Sequence, residues 1–209
     1  MPPNPPRPED RRTWIETAIA ATGLSVRGWL TLGPDDAVPP LPDGRSAGSL
    51  VLVGRLGRDG WSAFAASPEY RDRLPDPLDR WTRRTVEELA FLLGARALLP
   101  FEGPPWWPFQ SWGQRAEPLS PTPLGLLIHP EFGLWHAFRG ALAFADDVGR
   151  IVPPAAVASP CATCLRRPCL TNCPVDAFSA EGYDLARCLA HLESPLGALC
   201  RTDGCRARD

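Results

Sequence analysis

The chain has 209 residues, enough for one medium domain and a small appendix. Its 22 basic and 24 acidic residues leave a formal net charge of −2, which gives no general attraction to nucleic acid or to an anionic membrane. Every basic residue is an arginine, so Schiff-base chemistry, a phosphate-binding P-loop and a kinase-type lysine are excluded together.

No apolar run reaches membrane-spanning length, and the N-terminus does not resemble a secretory signal, so a reducing cytoplasm is the expected compartment. Residues 1–8 are rich in proline and are expected to form a disordered or draped arm. A helix is predicted from Glu9 to about Thr22, with Trp14, Ile15, Ala18 and Ile19 on its apolar side and Gly23 ending it. Leu24–Leu32 reads as extended, and the Pro, Asp and Gly content of Gly33–Gly48 reads as a loop. Gly48–Leu56 and Trp61–Ala66 are candidate strands around a Gly57–Gly60 turn. Gly54 lacks the spacing of a nucleotide-binding glycine and is taken as part of a turn.

The strongest helical period runs from Pro77 to Leu93, where Leu78, Trp81, Val86, Leu89, Ala90 and Leu93 recur on one face, arginines cover the other, and Gly94 follows. Ala95–Phe101 is a candidate strand. Pro104–Trp112 gathers three tryptophans and Phe109 in nine residues; core or interdomain packing is the expected use, with stacking of a flat ligand as the alternative. Leu124–Ile128 and Leu134–Phe144 are the last candidate strands of the first body. His129 and His136, beside a turn and within a strand, are expected to be structural. The proline-rich segment 152–160 is taken as a linker, dividing an α+β domain at 9–151 from a domain at 161–209.

All seven cysteines fall in that last segment. Cys161, Cys164, Cys169 and Cys173 form C-x2-C-x4-C-x3-C followed by Pro174, and Cys188, Cys200 and Cys205 come later. Close spacing closed by C-P is how bacterial ferredoxins deliver thiolates to cubane clusters, the fourth cysteine of the run serving a second cluster. The usual run has two residues between its second and third cysteines; here there are four, Leu165–Pro168. Structural zinc competes, but seven thiols with His191 as the nearby histidine suit two clusters better than one tetrahedral ion. Disulfides would leave an odd thiol, and a redox pair of Cys161 and Cys164 would leave five unexplained. A single helical turn is expected at Val175–Phe178, and Asp184–Glu193 is a predicted helix carrying Cys188 inward.

On these residues the chain resembles the iron-sulfur proteins related to epoxyqueuosine reductase, especially short ferredoxin-like bacterial members, and more distantly the corrinoid-dependent reductive dehalogenases. The resemblance rests on Cys161-x2-Cys164, on Cys169-x3-Cys173-Pro174-Val-Asp-Ala, on Tyr183-Asp-Leu-Ala-Arg-Cys188-Leu-Ala-His-Leu-Glu193, and on the segment from Leu124 to Trp135. It implies an α/β sandwich of corrinoid-reductase type followed by a ferredoxin-like 4Fe-4S domain. Carried over by position, Cys161, Cys164 and Cys169 would bind the first cluster, and Cys173, Cys188, Cys200 and Cys205 the second. The family completes the first set with another C-P cysteine just past the last pair. The expectation here is either a shortened chain or a first cluster with an open iron or only three irons.

The proton-donating acid of the reductases has no counterpart in Trp107–Glu117, and their lysine-containing turn is replaced. Cobalamin is therefore a further cofactor implied by family alone. The resulting expectation is an electron carrier using two iron-sulfur clusters, with a redox partner protein, no nucleic acid and no membrane. A corrinoid-dependent reductase and a zinc-stabilised interaction module are the alternatives. Arg166 and Arg167, in the first ligand loop, are expected to favour the reduced, more negative cluster.

Overall fold

The computed structural model describes residues 8–36, 38–146, 154–155, 157–179 and 182–208. The N-terminal arm, apart from Pro8, and part of the proposed linker lie outside these residues. In chain order the elements are α1 (Pro8–Ala21), β1 (Ser25–Thr31), β2 (Ser49–Leu56), α2 (Trp61–Ala65), α3 (Pro68–Arg71), α4 (Pro77–Leu93), β3 (Arg96–Leu98), α5 (Phe109–Ala116), β4 (Ser120–Pro121), β5 (Leu127–Ile128), β6 (His136–Phe144), α6 (Pro168–Thr171), β7 (Phe178–Ser179), β8 (Gly182–Tyr183), α7 (Leu185–Glu193) and α8 (Ala198–Thr202). Helices and strands mix without a repeating βαβ order, an α+β chain.

The chain divides into two compact units, one formed by residues up to Glu117 together with His136–Ala155, the other by Pro118–Trp135 and Ala156 onward. Sequence patterning had assigned 9–151 to one body, whereas Pro118–Trp135 lies with the cysteine-bearing unit. The reason is visible at the far end of the chain: the Arg208 guanidinium donates to the Leu134 carbonyl (Nε 2.9 Å) and lies over the Trp135 ring at 4.7 Å.

The first unit is organised by a four-stranded antiparallel sheet in the order β1-β2-β6-β3. Strand β2 is apolar at consecutive positions because both its faces are covered. Val51 and Val53 face Ile15 and Ile19 of α1, Trp81, Val86, Leu89 and Leu93 of α4, and Leu142 and Phe144 of β6. Leu50 and Leu52 face Phe109 and Trp112 of α5 with Ala141 and Ala143 of β6. Half of the tryptophan-rich segment is therefore core, as expected: Trp112 is fully buried, its indole N–H donating to Asp36 at 3.2 Å, while Trp106 remains exposed. The helix it forms, α5, carried too short an apolar period to be predicted.

Three local readings are corrected. Trp61–Ala66 is helical, since Trp61 and Phe64, one turn apart, pack edge-on with each other and with Tyr70, and Phe64 meets Trp81. Gly54 lies inside β2 at a bulge rather than in a turn; a Cβ there would sit 2.1 Å from the Ala137 carbonyl oxygen of β6, so only glycine lets the strands approach. Val175–Phe178 forms no helical turn, because Asp176 takes a left-handed φ of 50° and the chain enters β7 instead.

The arginine face of α4 is paired with acids. Arg80 bonds Asp72 at 2.7 Å, Arg83 bonds Glu102, and Arg84 grips the nearly buried Glu69 at 2.6 and 3.1 Å. The Arg84 bond holds the Glu69 carboxyl at a pKa of about 2, below its ordinary 4.5. A depressed carboxylate pKa contributes stability that is complete above about pH 4.5 and is lost as pH falls toward 2. Glu69→Gln should therefore cost about 1 kcal/mol at pH 7, the exposed Arg84 side screening the pair, and progressively less as pH falls through about 2. Urea unfolding followed by tryptophan emission tests this, since seven of the eight tryptophans lie at or before Trp112; a cost that did not shrink in acid would refute the ion-pair account.

Candidate metal centre

Short capped segments present the thiols. Ser159 caps a 3-10 turn over Pro160–Ala162, its hydroxyl accepting from the Cys161 amide at 3.3 Å, and Cys164 N–H returns to the Cys161 carbonyl at 3.4 Å. Cys169 sits in α6, started by Pro168 at its first position after Arg167 in a left-handed conformation. After Cys173, the Ala177 amide donates to the Cys173 sulfur at 3.3 Å, an N–H···S bond that stabilises negative charge on that sulfur. Asp184 caps α7 by accepting from Arg187 N–H at 2.9 Å, and Arg187 ties this helix to the Asp176 carbonyl at 3.2 Å, fixing Cys188 near the loop that follows Cys173.

Beyond α7 the chain doubles back tightly. A Cβ on Gly197 would lie 2.1 Å from the His191 carbonyl oxygen, so glycine is required for α8 to return along α7. This return brings the Cys200 sulfur to 3.7 Å from His191 Nε2. The 3-10 turn Arg206–Arg208 then packs on α6, leaving Cys205 just before it.

All seven cysteines are free thiols; six are half-buried and Cys205 is exposed. Burial pushes the Cys169 thiol up, and Cys161 and Cys164 add to the shift. The Tyr183 hydroxyl, hydrogen-bonded to Cys188, is pushed up to about 12 by that bond, by burial, and by Cys188, Cys205 and Cys173 nearby. Cys161 and Cys164 thus lie near Cys169, and Cys173, Cys188 and Cys205 lie near the Tyr183 hydroxyl. Cys200 stands beside His191.

Among the described residues no three His, Cys, Asp or Glu side chains converge tightly enough to hold one metal ion. An all-thiolate set suits soft metals and iron-sulfur units. A polynuclear cluster also places inorganic sulfide between its irons, so its thiolates stand farther apart than the ligands of a single ion.

The remaining histidines have structural partners, as expected. His129 Nδ1 accepts from the amides of Glu131 and Phe132 at 3.1 and 3.2 Å, and His136 Nδ1 lies 3.1 Å from Arg27. Tyr183 is the site residue whose role sequence reasoning missed. Its ring stacks on Phe178 across the β7–β8 hairpin at 4.6 Å, which holds the hydroxyl at Cys188. The available signal was the aromatic pair flanking a short hairpin.

A hydroxyl donating to a ligand sulfur favours the more negative, reduced form. Were a cluster bound at this set, a net hydrogen-bond worth of about 0.5–1.5 kcal/mol means that Tyr183→Phe would lower its one-electron midpoint by about 20–60 mV. Potentiometric titration reads this directly, and an unchanged or raised midpoint contradicts it.

No helix among the described residues is long and apolar enough to cross a membrane. No protein-family model matches the chain, and no curated protein matches it.

Proposed function

We propose that this chain is an iron-sulfur electron-transfer protein, with a ferredoxin-like domain in the cysteine-bearing unit and a sheet domain of corrinoid-reductase type in front of it. The observation that carries the reading is the gathering of all seven thiols in one compact unit, with Cys161 and Cys164 near Cys169, and with the segment after Cys173 tied by Arg187 to the helix that bears Cys188. Cys200 would complete the second set from α8. The bound clusters would supply reversible one-electron storage.

The chain's own part is to hold the thiolates and to adjust their charge. Capped turns orient Cys161 and Cys188; the Ala177 amide and the Tyr183 hydroxyl donate to the sulfurs of Cys173 and Cys188. Half-burial of six thiols lowers the local dielectric around the site and limits water, two of the levers by which a protein sets potential.

Anaerobic purification with iron and acid-labile sulfide counted per chain is the test. About eight irons per chain support two complete clusters, and about seven support a three-iron first cluster. A colourless protein holding zinc, or one holding neither metal, overturns the proposal. A cobalt spectrum or tight uptake of added cobalamin would move it to the corrinoid-dependent reductase.

A further inference from the structure

The two-residue excess between Cys164 and Cys169 forms the most outward feature of the ligand loops. Leu165 is 95 % exposed, the highest value among the exposed large apolar residues, and Arg166, Arg167 and Pro168 are exposed beside it. Arg167 takes a left-handed φ of 43° as it starts α6, turning the chain back toward Cys169. The excess residues thus make a projecting tip instead of a slack ligand loop.

Neither arginine of this tip has a side-chain partner among the described residues. From Val157 to Val175 the sequence contains two arginines and no acid. Among the described residues no hydrogen bond or ion pair engages the side chain of either Arg166 or Arg167, in contrast to Arg80, Arg83 and Arg84 of α4, each paired with a carboxylate. The whole chain is at −2, so this is a local positive feature that orients an approaching partner without a general pull on anions.

We propose that the Leu165-Arg166-Arg167 tip is the docking point for an acidic one-electron carrier protein, an inference that rests on the iron-sulfur reading above. Leucine at the centre with arginine beside it is the pattern of a small apolar contact rimmed by charge, suited to a brief, weak redox encounter. An apolar centre also favours a protein face over a phosphate backbone. The tip is joined directly to Cys164 and Cys169, so a carrier seated there lies beside these two thiols in the chain. In the exchange one electron leaves the reduced carrier and this protein is reduced by one electron; no bond or proton is transferred.

The test uses the anaerobically purified full chain, with iron and sulfide counted first, and a reduced acidic flavodoxin as the probe in stopped-flow mixing. The rate should fall about tenfold from low to high salt, as for opposite charges. Arg166→Glu/Arg167→Glu should lower the low-salt rate at least about tenfold and flatten its salt dependence. Leu165→Ser should slow the reaction at every salt level while keeping the slope. Arg58→Glu/Arg71→Glu, the same charge change on exposed arginines of the other unit, should leave the rate near that of the parent. Midpoint potentials measured for each variant separate docking from driving force.

A cluster-containing protein whose rate and salt slope ignore the tip variants, or respond equally to the control pair, overturns the docking proposal alone. RNA binding lost in the tip variant would overturn the choice of a protein partner. Absence of iron and sulfide, seen before any carrier is added, overturns the electron-transfer reading and this inference with it.

Discussion

Glu117→Ala should destabilise the protein by about 3–5 kcal/mol, the cost of leaving a buried charge without its partner. Arg27 is fully buried and gripped by Glu117 at both ends of its guanidinium, Nε to Oε1 at 2.7 Å and Nη2 to Oε2 at 2.5 Å. Its Nη1 donates to the carbonyls of Arg55 and Ala137 at 3.0 and 3.2 Å, and the group lies 4.8 Å over the Phe138 ring. These acceptors exist because the sheet is irregular there: β1 shifts register between Val26 and Trp29, and β2 shifts against β6 between Val53 and Gly54. Bulges free backbone carbonyls from the ladder, and Arg27 supplies the donors they lose.

Against a typical total stability of 5–15 kcal/mol, this is a large fraction, and a melting temperature about 10 °C lower is the expected reading. Glu117→Gln keeps hydrogen bonding but not the charge, so it should fall between parent and alanine variant. The double change Arg27→Met/Glu117→Leu should recover much of the loss, since removing both charges ends the uncompensated burial even though two carbonyls lose a donor. Equal stability of Glu117→Ala and the parent would mean that water, rather than Glu117, balances the guanidinium.

What could be seen in the sequence follows from which interactions are local. Helices α1, α4 and α7 and strands β1 and β2 were legible because their apolar spacing spans enough residues to define a period, and Gly23, Gly94 and Asp184 mark their ends. Trp61–Ala65 and Phe109–Ala116 are too short for that, and their helical form depends on rings met from afar, Trp81 in one case and Phe138 in the other. The placement of Pro118–Trp135 depends on Arg208, more than 70 residues away, and no local pattern announces it. At the thiols, the family resemblance implied Cys161, Cys164 and Cys169 as one set, and in the fold Cys161 and Cys164 lie near the Cys169 thiol. The closeness of His191 to Cys200 was not legible, because it comes from the chain doubling back at Gly197.

That last contact distinguishes the cysteines of the second set by their replaceability. If the proposed clusters are bound, Cys188→Ala should remove about four irons per chain, since it deletes a thiolate that the α7 cap and the Arg187–Asp176 tie hold in place, while His191 of the same helix lies at Cys200. Cys161→Ala should leave those irons and remove the others, because Cys161 belongs to the neighbourhood of Cys164 and Cys169. Cys200→Ala should lose less iron than Cys188→Ala: His191 Nε2, 3.7 Å from the deleted sulfur, places a nitrogen donor beside the vacated position. Adding His191→Ala should then bring the loss to the level of Cys188→Ala. Histidine in place of thiolate removes a negative ligand, so the Cys200→Ala protein should also show a raised midpoint, the direction in which histidine ligation moves iron-sulfur potentials. Iron counts that fall together for all four single and double variants would mean that the seven thiols serve one interdependent assembly, and the two-set arrangement would have to be abandoned.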